Sequence, residues 1–324
     1  ESVDRLASLL EIAPRAVACD LHPRYQTTAL AKELGQPVRA VQHHYAHIVS
    51  CMAENDAPGP VIGVAFDGTG YGTDGTVWGG EFLRADYRGF TRLGSLEPFL
   101  WAGGDRAARE GWRIAANLLY EIDPMKAMET ARALGLGTER AVAAQFLMAD
   151  EKLNCVTTTS AGRLFDAVSA ILGIRRASTF EGEAAMYLEA AAETAGIRSA
   201  AAPSLHFAAD GFFCLPAREI FARLTKARLA GESPTRLAAD FHAVLAASIA
   251  RQSLEPVARW DAQVFDIGCA IGGRLSESTS PSSRYGKARG ERLYGPAPPS
   301  RSPERRRSGA GPGSKRHASF DGRA

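Results

Sequence analysis

Residues 60–87, PVIGVAFDGTGYGTDGTVWGGEFLRADY, constrain the fold more than any other part of the sequence. An apolar run of strand length, VIGVAF, precedes a glycine-rich segment, and a second apolar run with aromatic residues follows it. β-Branched and aromatic residues favour strands, whereas closely spaced glycines favour turns. The stretch therefore predicts a β-hairpin with a long, flexible tip.

The rest of the chain predicts strands first and helices later. AVACD and PVRAVQ have the composition of short strands, while QTTALAKEL and YAHIVSCMAEN have helical spacing. From about residue 104 helices dominate, with candidates at 104–121, 124–134, 137–151, 161–173, 182–195, 216–229 and 234–257. Strands with crossing helices, followed by a helix-rich half, predict an α/β architecture.

The composition excludes several classes of protein. With 324 residues, 45% of them hydrophobic, the chain can form one large domain or two ordinary ones. No run approaches the roughly 18 apolar residues of a membrane span, and the start ESVDRLASLLEIAP does not resemble a signal peptide. The five cysteines are scattered, with no Cys-x-x-Cys pair, so we expect reduced thiols in the cytoplasm rather than disulfides or a zinc–thiolate site.

The net charge of +2 combines two unlike parts of the chain. Residues 283–324 carry eleven Lys/Arg and three Asp/Glu, a net +8, so the remaining 282 residues carry −6. The mildly acidic main part argues against a nucleic-acid surface and gives no sign of a membrane partner. The segment after about residue 260 is basic and poor in large apolar residues, which predicts disorder. An RNA-binding basic arm is the alternative for this tail.

Three of the seven histidines lie together in VRAVQHHYAH. His43 and His47 are spaced i, i+4, which on a helix places two imidazoles on one face and lets them chelate one cation. His44 is expected to point elsewhere. The alternative is an ordinary solvated helix start, and the pair of histidines does not by itself decide between the two.

Asp67 is the candidate third ligand. It is the first polar residue after the apolar run VIGVAF, and Gly68, Thr69 and Gly70 follow it at the expected strand end. Backbone amides in such a glycine-rich turn can approach a ligand closely, although an ordinary hairpin turn has the same composition. Two histidines and one aspartate suit Fe(II) or Zn(II), with positions left open for a substrate.

The stretch TTTSAGRLFDAVSAILG suggests a nucleotide contact. Gly162 and Asp166 lie one turn apart on a predicted helix whose other residues are largely apolar. A carboxylate beside a glycine at a helix start can bind ribose hydroxyls while the backbone approaches the nucleotide. An amphipathic helix with one exposed aspartate is the alternative.

Six stretches together resemble one family, the C-terminal carbamoyltransferase (TsaD-like) domain of the hydrogenase-maturation protein HypF. In chain order they are VACDLHPRYQTTALA, VQHHYAH, GVAFDGTGYGTDGTVWGGEFL, GGDRAARE, TTTSAGRLFDAVSAILG and FEGEAAMYLE. The resemblance covers about residues 14–257 and implies an α/β, actin/sugar-kinase/Hsp70-like two-lobed fold, present here incompletely. It implies a metal-binding lobe at 1–160, a helix-rich second lobe at 161–260 and a tail at 261–324.

The resemblance also implies an activity. In HypF-like proteins a carbamoyl group from carbamoyl phosphate is activated with ATP as carbamoyl adenylate, then transferred to the C-terminal cysteine of HypE during [NiFe]-hydrogenase maturation. An inactive remnant that at most binds HypE, or another ATP-dependent transferase or kinase of the same superfold, are the alternatives.

The same resemblance assigns roles to the candidate residues, although it singles out no catalytic residue. His43, His47 and Asp67 would bind the metal, iron or zinc. The Gly68–Gly70 turn, with Thr69, would face the carbamoyl-phosphoryl group. Gly162 and Asp166 would bind the nucleotide.

The sequence departs from the family at both ends. The upstream acylphosphatase, zinc-finger and TsaC-like domains are absent from residues 1–324, and the transferase domain is entered partway. The family's LSGG…NRLL and PPNDGGLALGQ motifs are absent from the amino-acid sequence. Residues 268–280 and 304–313 can, however, be written with codons that encode closely similar sequences when both are read in the same shifted frame. We hypothesise a frameshift near residues 257–267 that replaced the end of the domain, including the last metal-binding carboxylate. An uninterrupted gene with unrelated codons there would contradict it.

Overall fold

The computed structural model describes residues 2–196, 201–204, 206–209, 211–260 and 263–268, with side chains for all of these except 252–260 and 263–268. The first elements are α1 (Ser2–Leu9), β1 (Val17–Asp20), α2 (Gln26–Glu33), β2 (Val38–Val41), α3 (His43–Glu54), β3 (Val61–Tyr71), β4 (Val77–Asp86), β5 (Gly89–Leu96) and β6 (Phe99–Ala102). Then follow α4 (Gly104–Arg109), α5 (Gly111–Ile122), α6 (Ala127–Ala133), α7 (Glu139–Asp150), β7 (Cys155–Thr158), α8 (Ala161–Ile171), α9 (Glu183–Ala195), β8 (His206–Phe207), β9 (Phe213–Leu215), α10 (Ala217–Leu229), α11 (Pro234–Trp260) and β10 (Gln263–Gly268).

The first part of the chain forms a small parallel sheet. β1 pairs with β2 in register from Val17↔Val38 to Asp20↔Val41, and α2 crosses between them. Because β2 leads through one residue into α3, the carboxyl end of β1 lies beside the start of that helix.

The larger sheet is built on the hairpin predicted from the sequence. β3 pairs antiparallel with β4, and the sheet order runs β10-β3-β4-β5-β9-β8, with β7 joining β4 to β6. Gly72 N donates to Thr76 O, so the hairpin tip lies at 72–76. The strand register shifts between Phe66 and Gly70, which marks a β-bulge inside β3.

The two faces of the hairpin bury different elements. Before the bulge, β3 residues alternate between faces, as the period of two in a strand requires. Val61 and Ala65 pack with Ile48 and Met52 of α3. Val64 and Phe66 instead belong to a large core that includes residues of α5, α8, α10 and α11. The sheet therefore separates α3 from the helix-rich part of the chain.

Most predicted helices are confirmed within a few residues, and one is divided. The predicted helix 104–121 is interrupted at Glu110, which separates α4 from α5. A Cβ on Gly111 would lie 2.8 Å from Asp166 O, so the start of α5 contacts α8 too closely for a larger side chain. The break lets α5 begin at this contact.

The predicted division of the chain is not marked by a break in the core. Residues on both sides of position 160, such as Val64 and Leu245, belong to one buried cluster. Residues 263–268, predicted as the beginning of a disordered tail, form β10 and pair in parallel with β3. The frameshift hypothesis for 304–313, and the tail from 269 onward, lie outside the described residues.

The sequence predicted no membrane-spanning segment. Within the described residues, the helices are too short or too polar to span a lipid bilayer.

Candidate metal centre

The first turns of α3 carry the two histidines predicted as ligands. The helix begins at His43 because Gln42 acts as its N-cap, with the Gln42 side chain accepting a hydrogen bond of 2.9 Å from Tyr45 N. His43 and His47 then lie one turn apart, and their Nε2 atoms are 3.2 Å from each other. The i, i+4 spacing thus places both imidazoles on one face.

Asp67 brings the third candidate ligand from the bulge of β3. Its Oδ2 lies 3.0 Å from His43 Nε2 and 3.8 Å from His47 Nε2. Gly68 N donates to the other oxygen, Oδ1, and fixes the carboxylate. The three side chains are 16–33% exposed, so the cluster opens to solvent on one side.

The three atoms fit a single metal ion. Two ligands about 2.1 Å from a common ion, at angles between octahedral and tetrahedral, lie roughly 3.0–3.4 Å apart. Two of the observed separations, 3.0 and 3.2 Å, lie within that range, and the third, 3.8 Å between His47 Nε2 and Asp67 Oδ2, exceeds it by about 0.4 Å. Small side-chain adjustments would bring all three into contact, with the remaining coordination positions free for substrate.

Hydrogen bonds, charge and burial set the pKa values of the three side chains. The hydrogen bond to Asp67 raises the pKa of His43 to about 9, against the opposing effect of burial and with further help from Asp20. Burial and the neighbouring His43 lower the pKa of His47. Burial alone would raise the pKa of Asp67, but hydrogen bonds from His43 and Gly68 N hold it below its usual range. At neutral pH a metal ion bound at Nε2 would therefore have to displace a proton from His43.

His44 does not point away from the site, contrary to expectation. Its side chain is fully buried, and its Nε2 lies 4.0 Å from Asp67 Oδ2. The space for the ring exists because Gly70 has no side chain: a Cβ there would lie 2.4 Å from His44 Cε1. The bulge turns Gly70 toward α3, on the same face as Asp67.

The hydrogen bonds of Gln42 determine which nitrogen of His44 carries the proton. Gln42 Oε1 accepts from Tyr45 N, so its Nε2 is the donor to His44 Nδ1 at 3.2 Å. His44 Nδ1 is therefore an acceptor, and Nε2 carries the hydrogen that faces Asp67. Burial lowers the pKa of His44 to about 3, which keeps the ring neutral. His44 Nε2–H faces the Asp67 carboxylate at 4.0 Å, too far for a hydrogen bond, and it has no hydrogen-bond partner within the described residues.

The glycine-rich residues after Asp67 form the bulge of β3 rather than the predicted turn. Gly68 has open space where its side chain would be, whereas Thr69 is exposed. A Cβ on Gly162 would lie 2.9 Å from Gly68 Cα, so the start of α8 touches the bulge directly. Ser160, the N-cap of α8, donates a 2.6 Å hydrogen bond to Gly68 O. The structure therefore joins the candidate metal ligands to the residues predicted to bind nucleotide.

Asp166 lies one turn further along α8 and is 5% exposed, so the alternative of an exposed aspartate is wrong. Its Oδ2 lies 2.8 Å from a guanidinium nitrogen of Arg163. Burial raises the pKa of Asp166, opposed by Arg163. Its role in nucleotide binding stays a prediction.

The sequence analysis did not identify two acidic residues that lie near the site, Asp20 and Glu81. Asp20 Oδ2 lies 2.9 Å from His43 Nδ1. Like Asp67, Asp20 directly follows a short apolar run in the sequence, and this shared position was the signal that could have identified it. Glu81, by contrast, stands inside an apolar strand and gave no signal.

Glu81 connects three parts of the hairpin region. It is fully buried in β4 and accepts a 2.7 Å hydrogen bond from Arg92 Nε and a short one from Thr159 Oγ1. Arg92 also lies 3.2 Å from Asp74 at the hairpin tip. Since Thr159 immediately precedes the N-cap of α8, this network fixes the tip and the helix start relative to β4.

Two family models match the chain. One described as HypF Kae1-like domain matches residues 1–54. Another, described as Carbamoyltransferase, Kae1-like Domain, second subdomain, matches residues 63–277.

Curated relatives show the same similarity. Carbamoyltransferase HypF of Rhodobacter capsulatus is 39% identical over 283 residues, which are 84% of this chain and 36% of that protein. Carbamoyltransferase HypF homolog of Cupriavidus necator is 44% identical over 197 residues, 59% of this chain and 50% of that protein. The chain spans about half or less of the length of these relatives.

Two crystal structures resemble the fold. One, of full-length HypF in the phosphate- and nucleotide-bound form, has a TM-score of 0.70 at 27% identity and covers 82% of this chain and 45% of that one. The other, of T. kodakarensis HypF, has a TM-score of 0.71 at 28% identity and covers 82% of this chain and 36% of that one. These matches confirm the expected actin/sugar-kinase/Hsp70-like fold.

Proposed function

Because the chain belongs to the HypF carbamoyltransferase family, we propose that it contains a carbamoyl-transfer site. Its substrate is carbamoyl adenylate, made from carbamoyl phosphate and ATP at a separate activation site. Its acceptor is the C-terminal cysteine of HypE, and the product serves [NiFe]-hydrogenase maturation. The nucleotide-bound state named for a similar HypF structure supports a nucleotide-containing substrate.

The observation that carries the proposal is the contact between two predicted sites. Asp67 and Gly68 are adjacent, and Gly162 of α8 lies against Gly68 Cα. A substrate with a carbamoyl group at one end and an adenosine at the other needs such an arrangement. The acyl end can lie at the metal ligands while the nucleotide lies along α8.

His43, His47 and Asp67 are the residues that would hold the iron or zinc ion. When bound, such an ion supplies Lewis-acid polarisation of a carbonyl or phosphoryl oxygen. The open space beside Gly68 allows backbone to approach the carbamoyl-phosphoryl group. The amino-terminal end of α8, which touches Gly68, carries a partial positive charge that would favour a phosphate beside it.

The transfer itself is a substitution at the carbamoyl carbon. The acceptor sulfur forms a C–S bond, the C–O bond to phosphate breaks, and AMP leaves while the thiol proton passes to water. The Asp166 carboxylate would accept a hydrogen bond from a ribose hydroxyl while it also pairs with Arg163, 2.8 Å away.

A direct test omits the activation step. Preformed carbamoyl adenylate is mixed with this chain and HypE, and the cysteine thiocarbamate is measured by mass spectrometry. We expect transfer by the wild-type chain, strong loss in His43→Ala and His47→Ala, and wild-type transfer by His206→Ala. His206 is an exposed histidine in β8 and serves as the matched control.

The contrary result is equally clear. A folded, metal-loaded wild-type chain that transfers no carbamoyl group, in a reaction where an authentic HypF does, would favour the inactive remnant. Phosphorylation of a small-molecule alcohol from ATP would instead favour a kinase of the same superfold.

A further inference from the structure

Asp20 holds both of its carboxylate oxygens in fixed contacts. It is the last residue of β1, and its Oδ1 accepts a 2.7 Å hydrogen bond from His22 N. Its Oδ2 lies 2.9 Å from His43 Nδ1. The carboxylate is 18% exposed and cannot rotate without losing one of these contacts.

The fold delivers Asp20 to this position through strand pairing. Asp20 is in register with Val41 of β2, two residues before His43. Thr28 of α2 also donates to Asp20 O at 3.3 Å. The contact with His43 therefore joins two elements, β1 and α3, that are distant in sequence but rigidly placed by the small sheet.

We propose that Asp20 is a positioning residue for the metal centre, which fixes His43 with its hydrogen on Nδ1 and its lone pair on Nε2. A neutral imidazole carries one hydrogen, and an ionised carboxylate can only accept it. Nε2 is the atom that faces Asp67 at 3.0 Å and His47 Nε2 at 3.2 Å. The negative charge of Asp20 also makes the ring a more basic ligand. This inference rests on the metal centre of the proposed function.

The variant Asp20→Asn separates this role from a purely structural contact between β1 and α3. The amide oxygen of asparagine can still accept from His22 N and preserve the turn. Its NH₂ group then faces His43 Nδ1, which becomes an acceptor. The ring hydrogen would move to Nε2, where it blocks the metal, although the side-chain shape is nearly unchanged.

Zinc affinity of the full chain provides the test. Wild type, Asp20→Asn and Asp86→Asn are titrated with Zn²⁺ in competition with a chromophoric chelator. Asp86 is the matched control, because it also ends a strand and accepts from a backbone N–H two residues on, Arg88 N at 2.7 Å. We expect zinc binding to weaken by about 10- to 100-fold in Asp20→Asn and to stay unchanged in Asp86→Asn.

Nitrogen NMR of the zinc-loaded protein gives a second readout. In wild type, His43 should keep its hydrogen on Nδ1, whereas this signal should be lost in Asp20→Asn. If Asp20→Asn does not fold, Asp20→Ser replaces it, because a serine hydroxyl can accept from His22 N but is too short to reach His43. The same loss of zinc affinity is expected.

The possible outcomes separate the two claims. Wild-type zinc affinity in the folded Asp20 variants overturns the positioning role and leaves the metal centre standing. A folded wild-type chain that binds no zinc overturns the metal centre, and with it the role of Asp20.

Discussion

Replacing Gly162 by alanine tests the contact between α8 and the bulge of β3. The new Cβ would lie 2.9 Å from Gly68 Cα, closer than real Cβ atoms pack, and 3.4 Å from Gly68 N and Asp67 O. These are backbone atoms, and hydrogen bonds from Ser160 Oγ to Gly68 O and from Gly68 N to Asp67 Oδ1 hold them in place. The bulge, and Asp67 with it, must therefore shift.

The size of the effect follows from two opposing contributions. Overpacking typically costs about 1–3 kcal/mol, while replacing a helical glycine by alanine stabilises a helix by up to about 1 kcal/mol. We expect Gly162→Ala to lower the free energy of unfolding by about 1 kcal/mol, and by at most about 2 kcal/mol. Zinc affinity should fall as well, since Asp67 moves.

Urea unfolding and zinc titration measure the two effects. Gly89→Ala is the control, because a Cβ at Gly89 would meet no atom within 4 Å. Its stability should stay within about 0.5 kcal/mol of wild type. If Gly162→Ala is as stable as wild type and binds zinc equally well, α8 does not constrain the bulge and this reasoning fails.

Four further predictions concern charge. Since the pKa of His43 is about 9, zinc affinity should rise about tenfold per pH unit between about pH 7 and 8, as one proton is displaced; a flat titration profile would contradict this. In chelator-treated protein, the raised pKa of His43 adds stability that is fully present below about pH 6.5, the ordinary pKa of histidine. This stability should be lost as the pH rises through about 9, and the urea midpoint of unfolding should fall accordingly. Glu81→Gln should destabilise the fold by about 1–3 kcal/mol in urea unfolding, because Arg92 loses its buried charged partner; no change would show that the network does not contribute. Asp166→Asn should weaken binding of AMP in calorimetry and leave zinc affinity unaltered, and equal AMP affinity would remove Asp166 from the nucleotide site.

The parts of the site that sequence predicted depend on local geometry. The i, i+4 spacing of His43 and His47 places them on one helix face whatever the rest of the fold does. Asp67 follows the apolar run VIGVAF, and the period of two in a strand places it on the same face as Val61 and Ala65, which pack against α3. The hairpin and most helices were predictable for the same reason, since their signal lies within a few consecutive residues.

The parts that sequence did not predict depend on pairing between distant segments. The bulge in β3 turns Gly70 toward α3, and only then is there room for the buried ring of His44. The contact of Asp20 with His43 requires the register of β1 with β2. β10 forms against the edge of β3, although the composition after residue 260 predicts disorder.

Metal content tests the central claim most directly. The full chain is loaded with zinc or iron, freed of excess ion, and measured by elemental analysis as wild type, His43→Ala, His47→Ala, Asp67→Ala and His206→Ala. The account predicts one ion per chain in wild type and in His206→Ala, and almost none in the other three variants. Equal metal content in all five folded proteins, or no bound metal in wild type, would contradict it.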